Sequence, residues 1–111
     1  MQISSPAAVV VLTTTANPDE ADRLARILVE ERLVACVTLV PSVRSIYRWQ
    51  GAVETAAETL LLLKTSSELV LALQTRLSAL HSYETPEFLV LNVDLGSAGY
   101  LDWLQSSLRK P

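Results

Sequence analysis

A long β-hairpin is the feature that most limits the folds open to this 111-residue chain. The residues from Cys36 to Trp49 are typical of a strand, and a second run of the same character extends from Val53 to Thr65. Between them, Gln50-Gly51 predicts a tight turn, and Pro41-Ser42 predicts a bulge within the first strand. A small domain cannot cover such a hairpin with its own helices. We therefore expect its far end to project or to pair with a neighbouring chain.

The segments before the hairpin predict a strand and a helix. Ala7 to Thr15 is β-branched and apolar on both faces, as in a buried strand. The helix that follows opens at Pro18, where Asn17 can cap it and the acidic Asp19 and Glu20 complement the helix dipole.

The segments after the hairpin predict a second helix, a fourth strand and a terminal helix. Ser66 or Ser67 can cap the second helix, whose leucines recur at helical spacing until the helix ends near His81. A strand from Glu87 to Val93 follows, and then a last short helix. The order β-α-β-β-α-β predicts an α+β fold of the ferredoxin-like sandwich type, with helices on one face of an antiparallel sheet. We expect one domain over residues 1–111, with a flexible segment at residues 1–6.

Composition and charge narrow the classes of partner. Half of the residues are hydrophobic and only 19% are charged, against about 25% in average proteins, so we expect part of the apolar surface to meet another subunit. The net charge is −3 and the longest basic run is Arg109-Lys110, which argues against binding of nucleic acid. The longest apolar run, Ala7 to Leu12, is too short to cross a bilayer, and the single cysteine forms no internal disulfide. These features predict a cytoplasmic protein with no membrane partner.

The ferredoxin-like fold supports many unrelated functions, so function has to be argued from residues. Binding of RNA requires stacking aromatic residues on the central strands, but the third strand reads as leucines from Leu60 to Leu63. A soft-metal chaperone requires paired cysteines after the first strand, where Thr13 to Thr15 stand. A phosphatase requires an arginine-bearing anion site in the next loop, which is acidic instead. A trimeric signalling protein with ligand clefts between subunits remains compatible with the sequence.

Five segments together resemble the CutA divalent-cation tolerance family, in order and in spacing, from about Val9 to Leu108. They are LVACVTLVP (33–41), SIYRWQG (45–51), ETLLLLKT (58–65), HSYETPE (81–87) and YLDWL (100–104). The resemblance implies a homotrimer of ferredoxin-like subunits with hairpins paired across subunits, an architecture related to the PII signalling proteins. It also implies a role in tolerance of copper and other divalent ions.

Two departures from the family pattern concern copper. Some relatives proposed to bind copper have a cysteine where this chain has Thr13 and a histidine where it has Leu80. His81 is what remains of that set. Ser82 also stands where a proline that would stiffen the turn is usual.

His81 and Glu87 are the candidate metal ligands. Imidazole and carboxylate suit Cu(II) or another divalent cation, and we expect no metal to be required for folding. Each residue has a simpler alternative role: His81 can cap the helix that it ends, and Glu87 can pair with a basic residue.

Five further residues are candidates for a cleft or an interface between subunits. Large aromatic residues near a hairpin tip are typical of interface anchors. Glu58 and Lys64 are six residues apart on one strand and therefore share a face, where they can line a cleft or pair with neighbours. The five candidates are Tyr47, Trp49, Glu58, Lys64 and Tyr83.

The sequence shows no nucleophile-base pair, phosphate loop or paired acids, so we expect a protein that is not an enzyme. We interpret it as a cytoplasmic homotrimer that binds divalent metal ions such as Cu(II). The alternative is a PII-like adaptor that binds a small effector in clefts between subunits and presents its surface to an as yet unidentified protein partner.

Overall fold

The computed structural model describes residues 1–3 and 7–111. Its elements are β1 (Gln2–Ile3), β2 (Ala8–Thr15), α1 (Pro18–Glu30), β3 (Cys36–Trp49), β4 (Ala52–Ser66), a 3-10 turn (Ser67–Leu69), α2 (Val70–Leu80), β5 (Leu89–Asn92), β6 (Leu95–Gly96) and α3 (Ala98–Ser106).

The main sheet has the antiparallel strand order β3-β4-β2-β5. Helices α1 and α2 pack on one face of it, which confirms the predicted ferredoxin-like fold. The core between them is aliphatic and fully buried; it includes Val9, Val11, Leu24, Leu28, Leu61, Leu63, Leu73 and Leu77. Asn17 caps α1 as predicted, because its side-chain oxygen accepts a hydrogen bond from the Glu20 amide at 2.9 Å.

The hairpin of β3 and β4 has the predicted turn and bulge. Gln50 and Gly51 both have positive φ angles, 49° and 81°. The register between β3 and β4 shifts between Val40 and Val43, and Ser42 has a φ of 61° at that bulge. With strands of 14 and 15 residues, the hairpin accounts for much of the 45 Å length of the molecule.

The second face of the main sheet is largely apolar. Strand pairing places Leu12 opposite both Leu62 on β4 and Leu89 on β5, and these side chains alternate with the buried ones that face α1 and α2. Helix α3 covers one end of this second face, where Leu101 packs with Ala8. The sequence predicted helices on one face; the terminal helix lies on the other.

The structure differs from the prediction at both ends of the chain. Gln2–Ile3 and Leu95–Gly96 form a small two-stranded sheet that sequence patterning did not predict, because strands of two residues carry no periodic signal. Of the segment predicted to be flexible, residues 4–6 lie outside the described residues. The fourth predicted strand is shorter than expected, at Leu89–Asn92. Within the described residues, the helices are too short or too polar to cross a membrane.

Candidate ligand cleft and its histidine loop

An open cleft of about 710 Å³ lies where the hairpin, the end of β2 and the loop after α2 meet. Its lining combines three aromatic side chains, two carboxylates and several hydroxyl groups: Thr14, Ser45, Ile46, Tyr47, Trp49, Glu58, Tyr83, Thr85 and Glu87. Four of the five residues predicted for a cleft or interface therefore meet here, together with Glu87. The fifth, Lys64, is not part of the lining, and its ammonium donates to the Thr38 hydroxyl at 2.7 Å.

Glu58 is the carboxylate most firmly held in the cleft. The Tyr83 hydroxyl donates to its Oε2 at 2.7 Å, and the hydroxyls of Ser45 and Thr14 also bond to it. Partial burial alone would raise the pKa of Glu58, but these hydrogen bonds outweigh burial and hold that pKa below its ordinary value of 4.5. Burial and the bond to Glu58 together raise the pKa of Tyr83 to about 12. At neutral pH the cleft therefore contains an ionised carboxylate beside a protonated phenol.

His81 is buried, and both of its ring nitrogens have partners. Nε2 lies 2.7 Å from the Thr14 carbonyl oxygen, and Nδ1 accepts from the Tyr83 amide at 3.0 Å. Because a carbonyl oxygen only accepts, Nε2 must carry the proton in this arrangement, and Nδ1 must present its lone pair to Tyr83. The imidazole thus fastens the loop after α2 to strand β2.

Glu20 is a buried carboxylate. From the sequence we assigned it a single role, a favourable interaction with the dipole of the first helix. The amide and the hydroxyl of Ser82 donate to its two oxygens at 2.8 and 2.9 Å, and His81 Nδ1 lies 3.8 Å away. Burial raises the pKa of Glu20, but the hydrogen bonds from Ser82 and from the Ala16 amide outweigh burial and lower that pKa. Ser82 stands where proline is usual in the family pattern, and a proline has no amide hydrogen to donate here.

The arrangement around His81 and Glu87 is a demanding one for a metal ion. A metal at Nδ1 would displace the Tyr83 amide, and a metal at Nε2 would displace both a proton and the Thr14 carbonyl. Among residues 1–3 and 7–111, no three histidine, cysteine, aspartate or glutamate side chains lie close enough together to hold a metal ion. Glu87 itself is exposed on the cleft wall. Ligation by His81 and Glu87 stays a prediction, and it requires at least one ligand beyond those of a single described subunit.

The fold and the cleft define a class: a ferredoxin-like α+β subunit with an extended hairpin and an open cleft along it. Within that class, the family described as "CutA1 divalent ion tolerance protein" matches residues 9–107. The chain belongs to this family, as its sequence segments predicted.

Individual relatives support the assignment. The chain is 48% identical over 102 residues to a divalent-cation tolerance protein CutA from Pectobacterium atrosepticum, covering 92% of this chain and 93% of that one. The crystal structure of CutA1 from Oryza sativa superposes with a TM-score of 0.93 at 40% identity, covering 95% and 96% of the two chains. The Thermus thermophilus divalent cation tolerance protein superposes with a TM-score of 0.90 at 45% identity, covering 92% and 99%.

The names of relatives point to more than one compartment. A relative from Oryza sativa is named chloroplastic. It is 41% identical to this chain, and this chain covers 58% of its length. A structure from Archaeoglobus fulgidus, 31% identical, is named a periplasmic divalent cation tolerance protein. The family therefore does not fix the compartment of this chain.

Proposed function

We propose that this chain acts in divalent-cation tolerance as a cytoplasmic homotrimer that binds ions such as Cu(II), by binding rather than by catalysis. The observation that carries the proposal is the exposed carboxylate of Glu87 on the wall of an acidic cleft, to which the ionised Glu58 adds negative charge. Carboxylate oxygens are suitable ligands for divalent cations. The buried His81 is engaged on both nitrogens, so it supports the structure more readily than it would serve as a catalytic base.

The trimer is supported by surfaces that a lone subunit leaves in water. On the second face of the sheet Leu89 is 54% exposed, and on the hairpin Val53 is 65% exposed. Large apolar side chains left in water are typical of subunit interfaces. In the trimer that we propose, a neighbouring subunit supplies the further metal ligands that one subunit lacks.

Calorimetric titration of the metal-free protein with Cu(II) and with Zn(II) tests metal binding. We expect saturable binding that is lost in Glu87→Gln and retained in Glu84→Gln, the same substitution at an exposed position of the same loop. A His81→Ala variant, checked for its melting temperature, reports whether the histidine contributes. Absence of binding, or equal binding in the two glutamine variants, would contradict metal binding at Glu87.

Fluorescence microscopy of the tagged protein in its own cells tests the compartment, with uniform cytoplasmic signal as the expected result.

A second candidate function is that of a PII-like adaptor, which binds a small effector in the cleft and presents its surface to a partner protein. The size of the cleft favours it, because 710 Å³ lies in the range of small-molecule sites and far exceeds the volume of a bare ion. The aromatic walls have no role in coordinating a metal ion, whereas they suit an organic ligand.

A further inference from the structure

We propose that the cleft binds a small organic cation with an alkylated ammonium group. The inference rests on the second proposed function, the binding of a small effector, and specifies the chemistry of that effector. Three properties of the cleft support it: its charge, its aromatic walls and the way in which its main carboxylate is already hydrogen-bonded.

The charge of the lining selects for cations. Its described residues include two carboxylates, Glu58 and Glu87, and no lysine, arginine or histidine. The hydrogen bonds that Glu58 accepts keep it ionised. An anionic effector, such as a nucleotide or a carboxylate metabolite, would be repelled by both carboxylates, and the described lining offers no positive charge to offset that repulsion.

The aromatic side chains add an attraction that is specific to organic cations. Tyr47, Trp49 and Tyr83 all line the cleft, and Tyr47 is close enough to Tyr83 to act on it electrostatically. The faces of aromatic rings attract ammonium groups, and alkylated ammonium ions are recognised by such clusters of rings. Trp49 and Tyr47 are 60% and 44% exposed, so their rings are accessible to a ligand.

The hydrogen bonding of Glu58 separates an organic cation from a metal ion. A metal ion requires carboxylate lone pairs at about 2.0–2.2 Å. Those of Glu58 already accept from Tyr83, Ser45 and Thr14, which leaves the negative charge in place but occupies most of the lone pairs. A diffuse alkylammonium charge needs no directional bond, so it can use this carboxylate without dismantling the network.

Fluorescence of Trp49 gives a direct test. The chain has two tryptophans, and Trp103 lies on α3 outside the cleft lining, so a Trp103→Phe protein reports on Trp49 alone. The probe is tetramethylammonium chloride. Tert-butanol is the neutral compound of similar shape, and potassium chloride controls for ionic strength. We expect a saturable change with tetramethylammonium and none with either control.

Two variants locate the binding. Glu58→Gln removes the charge but keeps an oxygen that accepts from Tyr83, and we expect the dissociation constant to rise about tenfold or more. Glu84→Gln is the matched control and should bind as the parent does. No saturable change with tetramethylammonium, an equal change with tert-butanol, or equal binding by the two glutamine variants would each overturn the inference.

The outcomes also separate this inference from the proposed functions. Saturable binding of Cu(II) or Zn(II) without a response to tetramethylammonium would leave the metal-binding proposal standing and remove the organic cation. A response to tert-butanol alone would retain a small-molecule cleft but assign it a neutral ligand. A cleft that a neighbouring subunit fills would show no saturable change, and the inference would fail.

Discussion

Three consecutive residues, His81, Ser82 and Tyr83, fasten one loop to three different elements. His81 bonds to the Thr14 carbonyl on β2, Ser82 to Glu20 on α1, and Tyr83 to Glu58 on β4. Each bond connects a polar group that would be costly to bury alone. The loop therefore both closes the end of the helical layer and positions the carboxylate of the cleft.

Ser82→Ala tests the loop at the scale of one hydroxyl. The variant keeps the amide that donates to Glu20 Oε2 but loses the hydroxyl that donates to Oε1, so a buried carboxylate loses one of its hydrogen bonds. We expect the free energy of unfolding to fall by about 1–3 kcal/mol, measured by chemical denaturation at fixed protein concentration. Ser78→Ala, at an exposed position on α2, is the control and should change it little. Equal effects of the two substitutions would show that the Ser82 hydroxyl contributes nothing.

Glu20→Gln tests the buried charge through pH. The folded protein holds the pKa of Glu20 below its ordinary value of 4.5, so ionised Glu20 stabilises the fold above 4.5. That contribution is lost as pH falls through the lowered pKa, because the folded state then has to take up a proton that the unfolded state already binds. We expect the stability of Glu20→Gln to fall less steeply with acidification than that of the wild type. Parallel unfolding curves for the two proteins between pH 4.5 and more acidic conditions would contradict this assignment.

The sequence could predict which residues line the cleft but not which hydrogen bonds they form. Tyr83 and Glu58 were each predicted for a cleft or interface from residue type and strand phase. Their hydrogen bond joins positions 25 apart, and the bond from His81 to Thr14 joins positions 67 apart. Such pairings depend on how elements pack, which local patterning does not encode. For the same reason Glu20 was assigned only to the helix dipole, although Ser82 is its main partner.

At the scale of elements, patterning predicted what local chemistry determines. The turn at Gln50-Gly51, the bulge after Val40 and the cap at Asn17 all form where the residue types require them. The placement of α3 on the second face of the sheet was not predictable, because its leucines show which side is apolar but not which surface it meets. That surface includes Ala8 and Ala35, small residues that allow a close approach.

Gly51→Ala and Gly99→Ala form a matched pair that tests backbone conformation alone. An added Cβ at either position meets nothing within 4 Å, so neither substitution creates a clash. Gly51 has a φ of 81°, where alanine is strained, and we expect a loss of about 1–2 kcal/mol in the free energy of unfolding. Gly99 lies in α3, where alanine should instead stabilise by about 0.5 kcal/mol. Denaturant titrations that gave both variants the same sign would contradict the turn geometry.

At the scale of the whole molecule, the two faces of the main sheet differ in how far they are covered. Helices α1 and α2 bury one face within the subunit, whereas the second face carries leucines that remain exposed beyond α3. The hairpin extends past the helical layer and exposes Ile46 and Val53. A single chain that leaves this much apolar surface in water is only marginally stable, and the trimer proposed above would remove both this surface and the free edge of β3.

Leu89→Lys and Leu71→Lys distinguish a subunit interface from ordinary exposed leucine. Both side chains are exposed in the subunit, by 54% and 78%, so neither lysine disturbs the core. Leu89 lies on the second face of the sheet beside Leu12, whereas Leu71 lies on α2.

If the second face is the trimer interface, lysine at 89 buries charge between subunits, which is strongly unfavourable without a partner. Light scattering should then give the wild type and Leu71→Lys three times the subunit mass of 12.2 kDa, and Leu89→Lys a lower mass. Its melting temperature should also fall and depend on protein concentration more than that of the wild type. Equal masses for all three proteins would exclude this face as the interface, and a wild-type mass of one subunit would exclude the trimer.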